Sequence, residues 1–251
     1  MLYVTRPDIE AFSKHLEATA SPNYRYSTLS AVRSLYRYAH EEGWIPDDPG
    51  ALVRMPARPR YSTGTWLTKD EARRMMDAAA RDPDPRAGAF YMMLLLTGIR
   101  MAEALALDVT DIEEHGDVRT VTVARKRAGG ELCEQKLRLP NAAYDAIRRM
   151  LGTRSEGALF LSLTSRRLDD DAANRLLKRL AAESGIDKTI TAHSLRRTFC
   201  TLSLDAGVSP RDIMASANWH SARMLQRYDC ERAAVDRQAG VRLSEWLDAD
   251  E

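Results

Sequence analysis

Residues 193–228, HSLRRTFCTLSLDAGVSPRDIMASANWHSARMLQRY, decide how this chain is read. His193 to Ala206 reads as a helix, and a second one follows behind Ser209-Pro210, a cap serine with proline at the first helical position. In the first turn His193 and Arg196 stand three residues apart, hence on one face, where two side chains can meet one phosphate. Asn218-Trp219-His220-Ser221 comes next, and Tyr228 lies nine residues beyond Trp219. Far upstream, Thr97-Gly98-Ile99-Arg100-Met101-Ala102-Glu103 sets another arginine behind a glycine, with an acid three positions later.

Working outward, the segment Ala87 to Leu107 is densely apolar, with Gly98 interrupting two helical stretches. Val118 to Ala124 alternates with β-branched residues, Gly129-Gly130 supplies a turn, and Leu132 to Pro140 alternates again, so a small hairpin or three-stranded sheet is expected. Beyond it the chain returns to helix at Ala142–Leu151 and Asp170–Ala182, and short segments continue to Trp246. Near the start, Asp8 to Ala18 places Ile9, Phe12 and Leu16 at helical spacing, and Ser27 to Glu42 does the same with Leu29, Val32, Leu35-Tyr36 and Ala39. Gly43 closes the second helix, and Pro46, Pro49, Pro56 and Pro59 then break any regular element as far as about Gly64. Thr68-Lys69-Asp70-Glu71 reopens helix with a capping box. Two domains are therefore expected, a helical one over residues 1–60 and a larger one over 65–251, mainly α with a small antiparallel β-sheet.

Composition narrows the classes. The 251 residues, 44% of them hydrophobic, suffice for one good core and a second smaller one. The N-terminus has no apolar stretch of signal-peptide type, and no segment approaches membrane-spanning length, so a cytoplasmic protein without a membrane partner is expected. Cys133, Cys200 and Cys230 form no CxxC pair and stand near no histidine at ligand spacing, which argues against a disulfide framework or a metal site. A formal charge of +1 does not announce a nucleic-acid binder. Placement matters more: arginines and lysines gather at Arg125-Lys126-Arg127, Arg166-Arg167, Lys178-Arg179 and Arg196-Arg197, apart from the acidic runs, which leaves room for a local phosphate-binding face.

These motifs, in this order, resemble the tyrosine recombinase family, which includes Cre recombinase, the lambda-type phage integrases and the chromosome-dimer resolvases. The family's Thr-Gly-Leu-Arg with its following acid resembles Thr97 to Glu103, and its His-x-Leu-Arg resembles His193 to Arg196. Its later His-or-Trp position resembles Trp219, its nucleophile Tyr228, and its β-hairpin lysine falls on Lys126. The likeness runs from about Thr68 to Leu247. Two wordings depart from the family: Arg125-Lys126-Arg127 replaces Gly-Lys-Gly, and Asn218-Trp219-His220-Ser221 replaces Leu-Gly-His-Ser. Either Trp219 or His220 fits the phosphate-ligand position; spacing to Tyr228 favours Trp219, and His220 alone reads as a surface or helix-end histidine. The N-terminal domain is shorter than the family's core-binding domain, and no arm-binding domain fits before Asp8.

The resemblance implies a two-domain architecture, a helical core-binding domain plus a mixed catalytic domain, and a metal- and ATP-independent enzyme that cuts and rejoins double-stranded DNA through a 3′-phosphotyrosine. No cofactor is expected, and no GxxxxGK[ST] loop occurs. Arg100 and Arg196 would neutralise the non-bridging oxygens with planar forks, His193 would draw the proton from Tyr228, Lys126 would protonate the leaving 5′-oxygen, and Trp219 would donate to the phosphate. Glu103 would hold Arg100 or its helix in place. Arg33, Arg37, Arg125, Arg127 and Arg197 are candidate DNA contacts, although a solvated helix face is the ordinary reading of Arg33 and Arg37. Leu243, Trp246 and Leu247 share one side of a short final helix. Such a helix packs on its own domain or, as the family implies, enters a neighbouring protomer of a DNA-bound tetramer, with an accessory directionality factor as a further partner. A nucleoid-associated enzyme of prokaryotic, phage or plasmid origin is the expected setting. Two competing readings are a type IB topoisomerase and a non-catalytic DNA-binding regulator.

Overall fold

The computed structural model describes residues 3–57, 65–126 and 130–219. The chain divides into two compact units, residues 1–63 and 64–251.

Among its described residues the first unit holds two helices, α1 (Arg6–Thr19) and α2 (Pro22–Glu41). Thr5 and Asp8 close a reciprocal capping box on α1. Helix α2 starts at Pro22, five residues before the start expected from periodicity, because Ser21 caps it by accepting from the Tyr24 amide while Pro22 contributes a pre-set φ. Its end is set by Gly43 at φ +70°. The small core is Ile9, Leu16, Leu29, Tyr36, Ala39, Ile45 and Val53. Phe12 and Leu35, expected on the apolar stripes, are 38% and 43% exposed: among the described residues the unit has two helices and an irregular stretch from Gly43 to Ala57, which cover less than the full stripe of each.

In the second unit, α4 (Pro85–Thr97) is buried on nearly every side, and α3 (Lys69–Arg81), α6 (Asn141–Leu151), α7 (Asp170–Glu183) and α8 (Ala192–Asp205) pack around it. A helix apolar all round belongs at a domain centre. Phe90 on α4 meets Phe160 edge to face at 5.1 Å, and burial of each such ring contributes about 1.5–3 kcal/mol. Thr68 caps α3 with Glu71 closing the box. Between α5 (Met101–Ala106) and α6 stands a three-stranded antiparallel sheet of β1 (Ile112–His115), β2 (Val118–Lys126) and β3 (Leu132–Arg138), in that order. Its register pairs Ile112 with Val121, Val121 with Leu137, and Lys126 with Leu132. Helix α9 (Pro210–Ala217) follows α8, capped by Ser209. No helix among the described residues is long and apolar enough to cross a membrane.

Candidate active site

Gly98 turns the chain between α4 and α5. It sits at φ +64°, and a Cβ there would lie 2.6 Å from Phe199 Cε1, so both the backbone and the close approach of α8 require glycine. The turn points the Gly98 carbonyl at Arg196, whose Nη1 donates to it at 2.6 Å while Nη2 donates to the Ala217 carbonyl at the end of α9. Arg196 is only 5% exposed, and its guanidinium lies 5.1 Å from the centre of the Trp219 ring. Two backbone carbonyls and an indole thus hold a buried cation that, among the described residues, has no carboxylate hydrogen-bonded to it. Burial and the neighbouring Arg100 charge lower its pKa to about 10, which still leaves it charged at neutral pH.

Arg100 is the N-cap of α5. Its backbone N–H donates to Glu103 Oε2 at 2.8 Å and its Nη1 to Oε1 at 2.6 Å, so one carboxylate fixes both main chain and guanidinium. With its side chain about half exposed, Arg100 is open to a ligand on the side where its charge meets that of Arg196. On the other side of Glu103 stands Arg125, Nε to Oε2 at 3.7 Å. His193, in the first turn of α8, is exposed; partial burial of its ring and the charges of Arg197 and Arg196 push it below the ordinary imidazole value. It is therefore a neutral acceptor at pH 7. Lys126 is exposed at the tip of β2, and its backbone carbonyl accepts from Asn218 Nδ2 at 3.4 Å, one residue before Trp219.

Arg100, Glu103, Lys126, His193, Arg196 and Trp219 therefore come from α5, β2, α8 and the end of α9 to one region of the second unit. Tyr228, His220, Arg127 and the final segment around Leu243, Trp246 and Leu247 lie outside the described residues. The described tyrosines of this unit are committed elsewhere. Tyr91 is buried, donates to the Ala72 carbonyl and has its pKa raised by burial; Tyr144 donates to Glu114 Oε2 at 2.7 Å, which raises its pKa too.

Two expected DNA contacts are corrected. Arg125 and Arg197 are each 1% exposed and so present no guanidinium to a duplex. Strand parity explains the first: Val121, Val123 and Arg125 share the inward face of β2, while Lys126 points out. Arg197 lies 5.6 Å from the Trp66 ring on a helix that is covered over most of its surface. In the first unit Arg33 reaches the Ala51 carbonyl at 3.2 Å, and Arg37 stands exposed, 4.0 Å from Glu41. Sequence reasoning missed Gln135 and Asn218, whose side chains tie the hairpin to the end of α9. Asn218 carried a signal, since asparagine just past a helix suits the left-handed turn it adopts at φ +50°. A separate hollow of about 480 Å³ is walled by Arg86, Arg166, Arg167, Arg175 and Arg179 and shares no residue with the cluster above. No three His, Cys, Asp or Glu side chains gather to hold a metal ion among the described residues.

The family model described as the phage integrase family matches residues 65–234. Tyrosine recombinase XerC of Alcanivorax borkumensis is 30% identical over 223 residues, 82% of this chain and 69% of the relative. Tyrosine recombinase XerD of Mycobacterium tuberculosis is 31% identical over 212 residues, 80% of this chain and 67% of the relative. Among solved structures, the XerA recombinase is similar with a TM-score of 0.58 at 23% identity, covering 99% of this chain and 84% of that one. The Tn1549 transposon integrase in complex with circular intermediate DNA is similar with a TM-score of 0.71 at 18% identity, covering 97% and 85%. These likenesses carry the fold.

Proposed function

This chain belongs to the phage integrase family, the DNA strand-transferring tyrosine recombinases, and we propose that it is a site-specific recombinase whose nucleophile is Tyr228. The observation that carries the reading is the buried Arg196, a cation held by carbonyls and an indole with Arg100 beside it. Glu103 offsets the repulsion between these two buried or half-buried cations only in part, since burial and the Arg100 charge still lower the Arg196 pKa; a dianionic phosphorane between them would remove that cost.

The steps follow from the groups. The Tyr228 hydroxyl attacks the phosphorus and gives its proton to neutral His193. Arg100 and Arg196 bind the two non-bridging oxygens as charge builds on them, and the Trp219 indole donates beside them. The bond to the 5′-oxygen breaks, and Lys126 supplies that oxygen with a proton. A phosphotyrosine now holds the 3′ end with the energy of the broken bond conserved, so a 5′-hydroxyl from a second duplex reverses the chemistry without ATP. Glu103 orients Arg100 throughout.

Double-stranded DNA is the partner this chemistry requires. The first unit would act as a core-type DNA-binding domain, with Arg33 and Arg37 on α2 meeting phosphates, and Arg127 and the arginine-walled hollow offer further phosphate contacts. Helical spacing of Leu243, Trp246 and Leu247 supports a final segment that couples protomers into a tetramer on DNA, where an accessory factor would set direction on nucleoid DNA. The test is a plasmid carrying two copies of the DNA that flanks this gene. Recombinant product is expected; relaxation of supercoils without recombinants would assign the protein to type IB topoisomerase chemistry, and neither product to a regulator.

A further inference from the structure

Helix α9 ends on three consecutive carbonyls, and each is capped by a side chain from another element. Gln135 Nε2 on β3 donates to Ala215 O at 3.0 Å, Arg125 Nη1 on β2 to Ser216 O at 2.8 Å, and Arg196 Nη2 on α8 to Ala217 O. Arg125 Nη1 also donates to Gln135 Oε1 at 2.7 Å, which joins the two strands into one donor face. A helix C-terminus leaves such carbonyls unpaired and carries negative partial charge, so two guanidinium groups are well placed there. One of them, Arg196, belongs to the phosphate site. The other adjoins Lys126 in sequence and lies beside Glu103, the partner of Arg100.

Among the described residues, the turn at Asn218 supplies backbone donors only to the Met214 and Ala215 carbonyls, from the Trp219 and Asn218 amides. The Ser216 carbonyl takes its donor from the hairpin, which also adds a second one to Ala215, and the Ala217 carbonyl takes its donor from α8. A strand that places Val121 and Val123 in the core would ordinarily continue inward with an apolar residue, and an arginine buried to 1% there must be justified by what its fork holds. What it holds is the carbonyl end of the helix that leads to Trp219, while Asn218 returns a bond to the Lys126 carbonyl.

We propose that Arg125, with Gln135, is a positioning residue that docks the Lys126 hairpin on the carbonyl end of α9, so that the proposed general acid and the segment leading to the nucleophile are held in register. Arg125 does not touch DNA; it acts through Lys126. The inference rests on the proposed role of Lys126, and its test separates the two. Full-length Arg125→Met, which keeps the length of the side chain and removes its donors, should cleave ordinary DNA roughly tenfold to a hundredfold more slowly, the cost of a slightly misplaced catalytic group. DNA with sulfur at the 5′-bridging position, whose leaving thiolate needs no acid, should restore most of that loss. Arg125→Lys should fall between, because it retains charge without the fork. Gln135→Leu, at a partly exposed position that leaves the core intact, should show the same sulfur rescue in weaker form. Hydrogen exchange at residues 118–126 and 132–138 should quicken in Arg125→Met while α4 and α6 stay protected.

If Lys126→Ala is rescued by sulfur but Arg125→Met is not, the positioning role is overturned and Arg125 acts on Arg100 through Glu103. If Lys126→Ala is itself not rescued, the general-acid reading fails, and hairpin exchange decides the docking alone: unchanged exchange in Arg125→Met and Gln135→Leu would overturn it.

Discussion

Replacing Gly98 by alanine should damage both stability and chemistry. A non-glycine residue held near φ +64° costs on the order of 1–2 kcal/mol relative to glycine. The new methyl would also stand 2.6 Å from Phe199 Cε1 and 2.9 Å from Cγ, closer than carbon atoms tolerate, and forcing such an overlap typically costs about 1–3 kcal/mol. The sum, about 2–5 kcal/mol, is a large share of the roughly 5–15 kcal/mol that holds a domain folded. For a unit of this size it corresponds to a fall in Tm of roughly 4–20 °C. Denaturant unfolding of the wild type, Gly98→Ala, Phe199→Ala and the double variant apportions the loss. The steric part should vanish when Phe199 is truncated, giving a coupling of about 1–3 kcal/mol, while the backbone part should remain. Because the Gly98 carbonyl aligns Arg196 at 2.6 Å, cleavage should fall further than stability alone explains, on the order of tenfold to a hundredfold at a temperature where the variant stays folded. A Gly98→Ala protein within about 0.5 kcal/mol of wild type, with normal cleavage, would refute the reasoning.

Other outcomes follow from the same geometry. Arg196→Lys cannot reach the Gly98 and Ala217 carbonyls together and still offer a planar fork to phosphate, so cleavage should drop about a hundredfold in a single-turnover assay while DNA binding, read by gel shift, falls far less. The acid limb of the pH–cleavage profile should reflect His193. Burial and two arginine charges disfavour its protonated form, so it remains a neutral base as pH falls through the ordinary value of 6.5, and the rate should begin to fall only below that point. A midpoint above 6.5 would argue that another group accepts the proton.

The fold was legible where local chemistry and tertiary need agree. Thr68 and Glu71 mark the start of α3, Gly98 marks the break between α4 and α5, and Ser209-Pro210 marks α9, each because the terminus is satisfied by residues adjacent in sequence. Strand β1 escaped notice as a separate element because Ile112 to His115 is four residues long and mostly polar, and its pairing with β2 supplies what its own pattern lacks. The family resemblance and mainly helical fold with one small sheet agree with the comparisons. Arg125 and Arg197 were misread because charge was taken to mean surface. For Arg125 the period-2 alternation with Val121 and Val123 already pointed inward. For Arg197 no local signal exists, since α8 is wrapped by partners distant in sequence. The docking of Gln135 and Arg125 on α9 spans about 80–90 residues of chain and could not be read from spacing.

The central claim is that Tyr228 becomes joined to the 3′ end of cleaved DNA. The most direct measurement is to trap the adduct on a nicked substrate from which the 5′ fragment diffuses away, digest it, and locate the nucleotide-bearing residue by mass spectrometry. The chain has nine tyrosines. A single modified peptide carrying the nucleotide on Tyr228 is expected, and no adduct from Tyr228→Phe although the variant still binds DNA. A nucleotide on any other tyrosine, or an adduct surviving in Tyr228→Phe, would contradict it.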